Sequence, residues 1–141
     1  MNGLAVYVTR AGAEAERRLF VGALVDALDA GPDKEVAAFL ITQLQLAGKD
    51  EAVRPLAVHL RDVALVDPAA SALRAIGGDE AVRALLKALK NAPAAARIPV
   101  VEALGAMRSR EAVNDLLRLA DGSEEPLRRA AYSALAKIGD P

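Results

Sequence analysis

Residues 79–89 read Asp79-Glu80-Ala81-Val82-Arg83-Ala84-Leu85-Leu86-Lys87-Ala88-Leu89, and the chain repeats that pattern on both sides. Twenty-nine residues earlier stands Asp50-Glu51-Ala52-Val53-Arg54-Pro55-Leu56-Ala57-Val58-His59-Leu60. Thirty-one residues later stands Arg110-Glu111-Ala112-Val113-Asn114-Asp115-Leu116-Leu117-Arg118-Leu119-Ala120. A period near 30 residues marks a stacked array, in which each unit carries an apolar face that only its neighbours can cover. Val53, Leu56 and Leu60 recur as Val82, Leu85 and Leu89, then as Val113, Leu116 and Ala120, at the spacing of one buried helical stripe. The acids Asp50-Glu51, Asp79-Glu80 and Glu111 fall in the first turn of that helix, where carboxylates meet the positive end of the dipole. That placement accounts for the paired acids without a metal ion.

A more divergent copy lies upstream. Phe20 to Leu28 follows Ala81 to Leu89 position by position, within a helix expected over Ala13–Ala30 and stopped by Gly31-Pro32. Between copies runs a second kind of helix, expected over Asp33–Ala47, Asp67–Ile76, Pro93–Met107 and Glu124–Ile138. Leu44, Leu73, Leu104 and Leu135 align these segments, and Gly48, Gly77, Arg108 and Gly139 follow as the break. Glycine in that slot predicts a left-handed residue closing the helix, with Arg108 predicting a different closure and Ser109 available to cap the next helix. Pro55 suits the start of its helix, while Pro99 predicts a kinked or restarted one. Residues 1–12 predict a short helix ending near Gly12. The organisation expected is one repeat domain over 1–141: divergent helices over 1–31, helix pairs over 33–62, 67–91 and 93–121, and a half repeat over 124–141. Because the repeated helix is due again after Pro141, the pattern leads us to expect a longer chain or a partner covering that end.

Composition agrees with helices. Hydrophobic residues make up 53% of the 141 and aromatic residues only 3%, so alanine and leucine carry the core. Both stand high on the helix scale and lack the branched or aromatic bulk that strands favour. A net charge of −1, with both signs interspersed, gives no overall pull on nucleic acid or anionic lipid. The absence of cysteine excludes disulfides, zinc thiolates and thiol nucleophiles. No signal peptide and no membrane-spanning run is expected.

The best-formed unit, Glu125-Pro126-Leu127-Arg128-Arg129-Ala130-Ala131-Tyr132-Ser133-Ala134-Leu135-Ala136-Lys137-Ile138-Gly139-Asp140-Pro141, resembles HEAT repeats, in particular the short bacterial variety described as phycobilisome-lyase-like. Arg97 stands in the place of Arg128 one unit earlier, whereas Val66 and Ala37 stand there further upstream. The resemblance spans about residues 33–141 well and 13–31 loosely. It implies an all-α fold, a right-handed α-α superhelix of antiparallel helix pairs whose second helices line a concave side.

For activity the resemblance implies little, since such arrays serve many roles. HEAT-like deoxyhypusine hydroxylases hold two irons with several histidine–glutamate pairs, and His59 is the sole histidine here. HEAT-like DNA glycosylases rely on tryptophan and a basic groove, and this chain has no tryptophan. A lone imidazole without a registered carboxylate or serine is a poor catalyst, so His59 reads as a packing residue. We therefore expect no catalytic residue, no cofactor and no metal. The pattern that stands out is basic: Arg54 and Arg61 align with Arg83 and Lys90, and Lys87 aligns with Arg118. These six fall on one flank of the repeated helices, a ladder interrupted by Val58, Asn114 and Asp121. The expectation is a non-catalytic interaction or scaffold module for a protein or peptide, acidic in character, with neither nucleic acid nor membrane as partner. The alternatives are an accessory lyase or chaperone for a tetrapyrrole, and an architectural segment of a larger protein.

Overall fold

A computed structural model describes residues 2–10, 12–122 and 124–139. Expectations that fall on Met1, Ala11, Asp140 and Pro141 lie outside the described residues. Among the described residues there are helices and no strand: α1 Asn2–Val8, α2 Glu14–Asp29, α3 Lys34–Ala47, α4 Val53–Ala57, α5 Val66–Ile76, α6 Gly78–Asn91, α7 Ala94–Ala106, α8 Val113–Ala120 and α9 Glu125–Gly139. Short 3₁₀ turns over Asp50–Ala52, Val58–Arg61 and Arg110–Ala112 lead into or out of α4 and α8.

The helices form two rows. One consists of α1, α3, α5, α7 and α9, each packed on the next, and the other of α2, α4, α6 and α8. Each helix of the second row lies against the first, as α2 on α3, α4 on α5, α6 on α7 and α8 on α9. The first row is tight because its contact faces are small. Ala69, Ala70 and Ala72 on α5, Ala96 and Ala103 on α7, and Ala131 and Ala134 on α9 are all buried. Gly105 marks the closest approach: a Cβ built there would lie 2.7 Å from both Cα and Cβ of Ala134. The second row is looser, with α4 and α6 in contact but α6 and α8 scarcely touching.

Leu44, Leu73 and Leu104 are fully buried, whereas Leu135 is only partly covered. In the repeated helix Leu56, Leu85 and Leu116 are fully buried, and each such side chain contributes roughly 1.5–3 kcal/mol. The stripe is rotated slightly from the expected one. Ala52, Ala81 and Ala112 are completely buried while Val82 and Val113 are part-exposed, so the alanine before each valine faces the seam.

The helix breaks differ from expectation in an instructive way. Of the four break positions, Gly77 (φ 70°) and Arg108 (φ 53°) have positive φ. Gly48 is extended, with φ −76° and ψ 153°, and Gly139 is still helical. Gly48 is small for a steric reason: an added Cβ would lie 2.6 Å from the Leu44 carbonyl oxygen and 2.7 Å from Ala52 Cβ. Arg108 takes the left-handed position itself. Ser109 N–H donates to Leu104 O at 3.1 Å and Arg108 N–H to Gly105 O at 3.0 Å, the paired bonds of a Schellman ending. Ser109 does not cap α8, and its buried hydroxyl has no hydrogen-bond partner among the described residues. Asp33 does cap α3, accepting from Val36 N–H at 2.9 Å. Pro99 lies inside α7, which continues through it rather than restarting.

A candidate interaction groove

Where α4 and the turn after it run beside α6, small side chains leave the surface hollow. Ala57 and Ala84 are part-exposed and Ala88 is nearly covered, and with Val53 they form the floor of a groove of about 770 Å³. The rim is basic. Arg54 and Arg61 stand on one wall, seven residues apart, and Arg83 and Lys87 on the other, four apart, all four exposed. Glu80 and Asn91 complete the lining at the two ends of α6. Among the described residues, none of the four cations has a carboxylate within 4.0 Å.

The expected six-residue ladder therefore separates into two groups. Lys90 and Arg118 lie at a different hollow with Leu89, Arg97 and Leu119, and both engage Asp115. The Lys90 ammonium is 3.9 Å from that carboxylate, and the Arg118 guanidinium donates to it directly. Arg97 there donates to the Ala92 carbonyl at 3.1 Å.

Val58 is the residue whose role sequence reasoning did not recognise. It occupies the repeat position of Lys87 and Arg118, where it reads as a mere gap in the ladder, yet it lines the groove as a 72% exposed apolar residue on the wall that carries Arg54 and Arg61. An exposed valine at a place that is charged in the other copies is the signal that was available. His59 beside it is half-buried, and burial holds its pKa below the usual 6.5 against the opposing pull of Asp62. Asp62 is engaged by Lys34 and by Ala64 N–H at 2.9 Å, and these donors hold its carboxyl below the ordinary range.

Arg17 is a second residue with a role beyond the sequence reading. Only 3% exposed, it donates to Glu14 at 2.7 Å, to the Ala47 carbonyl at 2.9 Å and to Glu51. It thereby ties α2 to the C-terminal carbonyl of α3 and to the turn that begins the first basic wall. Its helical spacing to Val21, Leu24 and Leu28 gives its direction, since the four share one face. Glu51, expected to act only on the helix dipole, is a partner in this cluster.

Among the described residues, no group of three or more histidines, cysteines and carboxylates is placed to hold a metal ion. No helix is long and apolar enough to cross a membrane, again among the described residues. Residues 82–141 match the family HEAT repeats, and residues 69–91 match the family PBS lyase HEAT-like repeat. Residues 69–141 carry HEAT repeats. Together with helices stacked in two rows, the matches make the fold an α-α solenoid. The second match runs through α5 and α6, so a HEAT-repeat helix supplies the Arg83–Lys87 wall of the groove. Comparison with curated proteins finds no match.

Proposed function

We propose that this HEAT-repeat array is a non-catalytic interaction module that takes an acidic segment of a partner protein into the α4–α6 groove. The observation that carries the reading is the group of four exposed cations without a carboxylate partner, set around an apolar floor. Arg118, Lys34 and Arg18 pair with acids of the chain, and what sets Arg54, Arg61, Arg83 and Lys87 apart is that four cations gather around one apolar hollow. HEAT arrays typically serve protein interactions, and a solenoid presents such a groove without having to rearrange. Lys90 and Arg118 belong to the proposed face only as a secondary contact, because Asp115 already occupies them.

Exposed ion pairs contribute about 0.2–1 kcal/mol each and are screened by salt. Binding of a fluorescein-labelled peptide of alternating glutamate and alanine should therefore be measurable at low ionic strength and fall about tenfold between dilute and physiological salt. Absence of binding at low salt would remove the groove from consideration as an acid-recognising surface.

A second reading has one observation behind it. A groove of about 770 Å³ is within the range of small-molecule sites, and cations over an apolar floor also suit a flat ligand carrying carboxylates, such as a linear tetrapyrrole. Against it, no aromatic side chain lines the groove among the described residues. Appearance of visible absorbance when the protein is mixed with a linear tetrapyrrole would favour this reading over the first.

A further inference from the structure

The groove lining is one-sided in its hydrogen bonding. Arg54, Arg61, Arg83 and Lys87 are donors only, and among the described residues that line the groove the side-chain acceptors are Glu80 and the Asn91 amide oxygen. The walls are helical, so their main-chain groups are engaged within the helices and offer no ladder to a visiting strand. An extended peptide laid here would bring a row of backbone N–H groups to a surface that supplies almost no acceptors. A helix brings its backbone already satisfied and presents side chains alone. The apolar lining asks for a complementary stripe: Val58 stands 72% exposed on the wall of Arg54 and Arg61, in register between them, and the small Ala57 and Ala84 of the floor leave room for a larger apolar side chain. Arg54 and Arg61 lie seven residues apart along α4 and the 3₁₀ turn that continues it, about 10–13 Å of rise, so they can be met by acids about two turns apart on one partner helix.

We propose that the segment bound in the α4–α6 groove is an amphipathic helix of a partner protein, with a leucine-type stripe seated over Val58 and carboxylates flanking it toward Arg54, Arg61, Arg83 and Lys87. This rests on the reading of the groove as an acid-recognising surface and adds the conformation and apolar register of what it recognises. Val58 then contributes by burial, and the four cations by pairing with the flanks.

The test compares three labelled peptides of equal length and net charge by fluorescence anisotropy. The first is an amphipathic helix with leucines at i, i+4, i+7 and i+11 and glutamates on both sides. The second is the same composition scrambled out of register, and the third is the first with a central proline. The proposal expects the amphipathic peptide to bind about tenfold or more tightly than either control, and to gain helical circular dichroism on binding. It also expects Val58→Asn, which removes the apolar surface without changing charge, to weaken the amphipathic peptide about tenfold while leaving the scrambled one nearly unchanged, since residue 58 is exposed and its replacement leaves the core intact. Equal binding of all three peptides, or indifference to Val58→Asn, would overturn the helix assignment while leaving acid recognition standing. Failure of every acidic peptide to bind would overturn both.

Discussion

At the scale of single residues, the fold rests on a few positions with no tolerance. Gly77 combines φ 70° with ψ −167°, a region that is essentially glycine-only, although there is ample room around it. Gly77→Ala should therefore cost about 1–3 kcal/mol in denaturant unfolding through backbone strain alone. Leu85 has no exposed surface, so Leu85→Asp buries an unpaired carboxylate and loses its packing, a cost on the order of 5 kcal/mol or more. Unchanged thermal stability in that variant would remove Leu85 from the seam. Arg17 holds its partners differently, through charge. Its guanidinium lowers the Glu14 pKa from the ordinary 4.5 to about 2. A carboxyl with a depressed folded-state pKa adds stability that is fully present above its unfolded value and lost as the pH falls through the folded one. Glu14→Gln should flatten the acid limb of stability between about pH 4.5 and pH 2 and leave the neutral region less stable than the parent. A limb of unchanged slope would mean that other carboxylates carry the acid sensitivity.

At the scale of elements, closeness in the first row is set by residues that have almost no side chain. A methyl group at Gly105 would meet Ala134 at 2.7 Å, so Gly105→Ala must part α7 from α9. We expect a loss of about 1–3 kcal/mol from overpacking, read as a lowered midpoint in urea with the m-value unchanged. The same position shows what a sequence conveys and what it does not. Helix existence was legible because leucine and valine recur at 3.6-residue spacing over every copy, and α2, α3, α5, α6, α7 and α9 lie within a residue or two of their expected bounds. The rotation of the stripe toward Ala52, Ala81 and Ala112 was not, because alanine is at home both in a core and on a surface. Break chemistry was half legible. Glycine signals either a left-handed residue, as at Gly77, or a lack of space, as at Gly48, and only the neighbouring backbone decides between them. Arg108 shows the converse, a non-glycine residue held at φ 53° by the two hydrogen bonds that end α7.

At the scale of the whole molecule, a net charge of −1 conceals a local separation. Period alone brought Arg54, Arg61, Arg83 and Lys87 to one side, because repeated positions stack in a solenoid. Asp115 and Arg118 stand three residues apart on α8, so their pairing follows from helical spacing, whereas the reach of Asp115 to Lys90 depends on how α8 sits against α6 and could not be read from the period. Nor could it reveal a hollow between α4 and α6, which arises from alanines at facing positions on two helices 29 residues apart in sequence. The central claim is that this basic rim recognises a partner and does not hold the fold together. Its most direct test sets Arg83→Glu with Lys87→Glu against a control of equal charge change, Arg74→Glu with Lys137→Glu, both on exposed positions away from the groove. We predict that both variants keep the parent's unfolding midpoint and that only the first loses binding to the acidic amphipathic peptide, by about tenfold or more. Equal losses in the two variants would show the attraction to be one of overall charge, and unfolding of the first would place Arg83 and Lys87 in the structure's own support; either result contradicts the account.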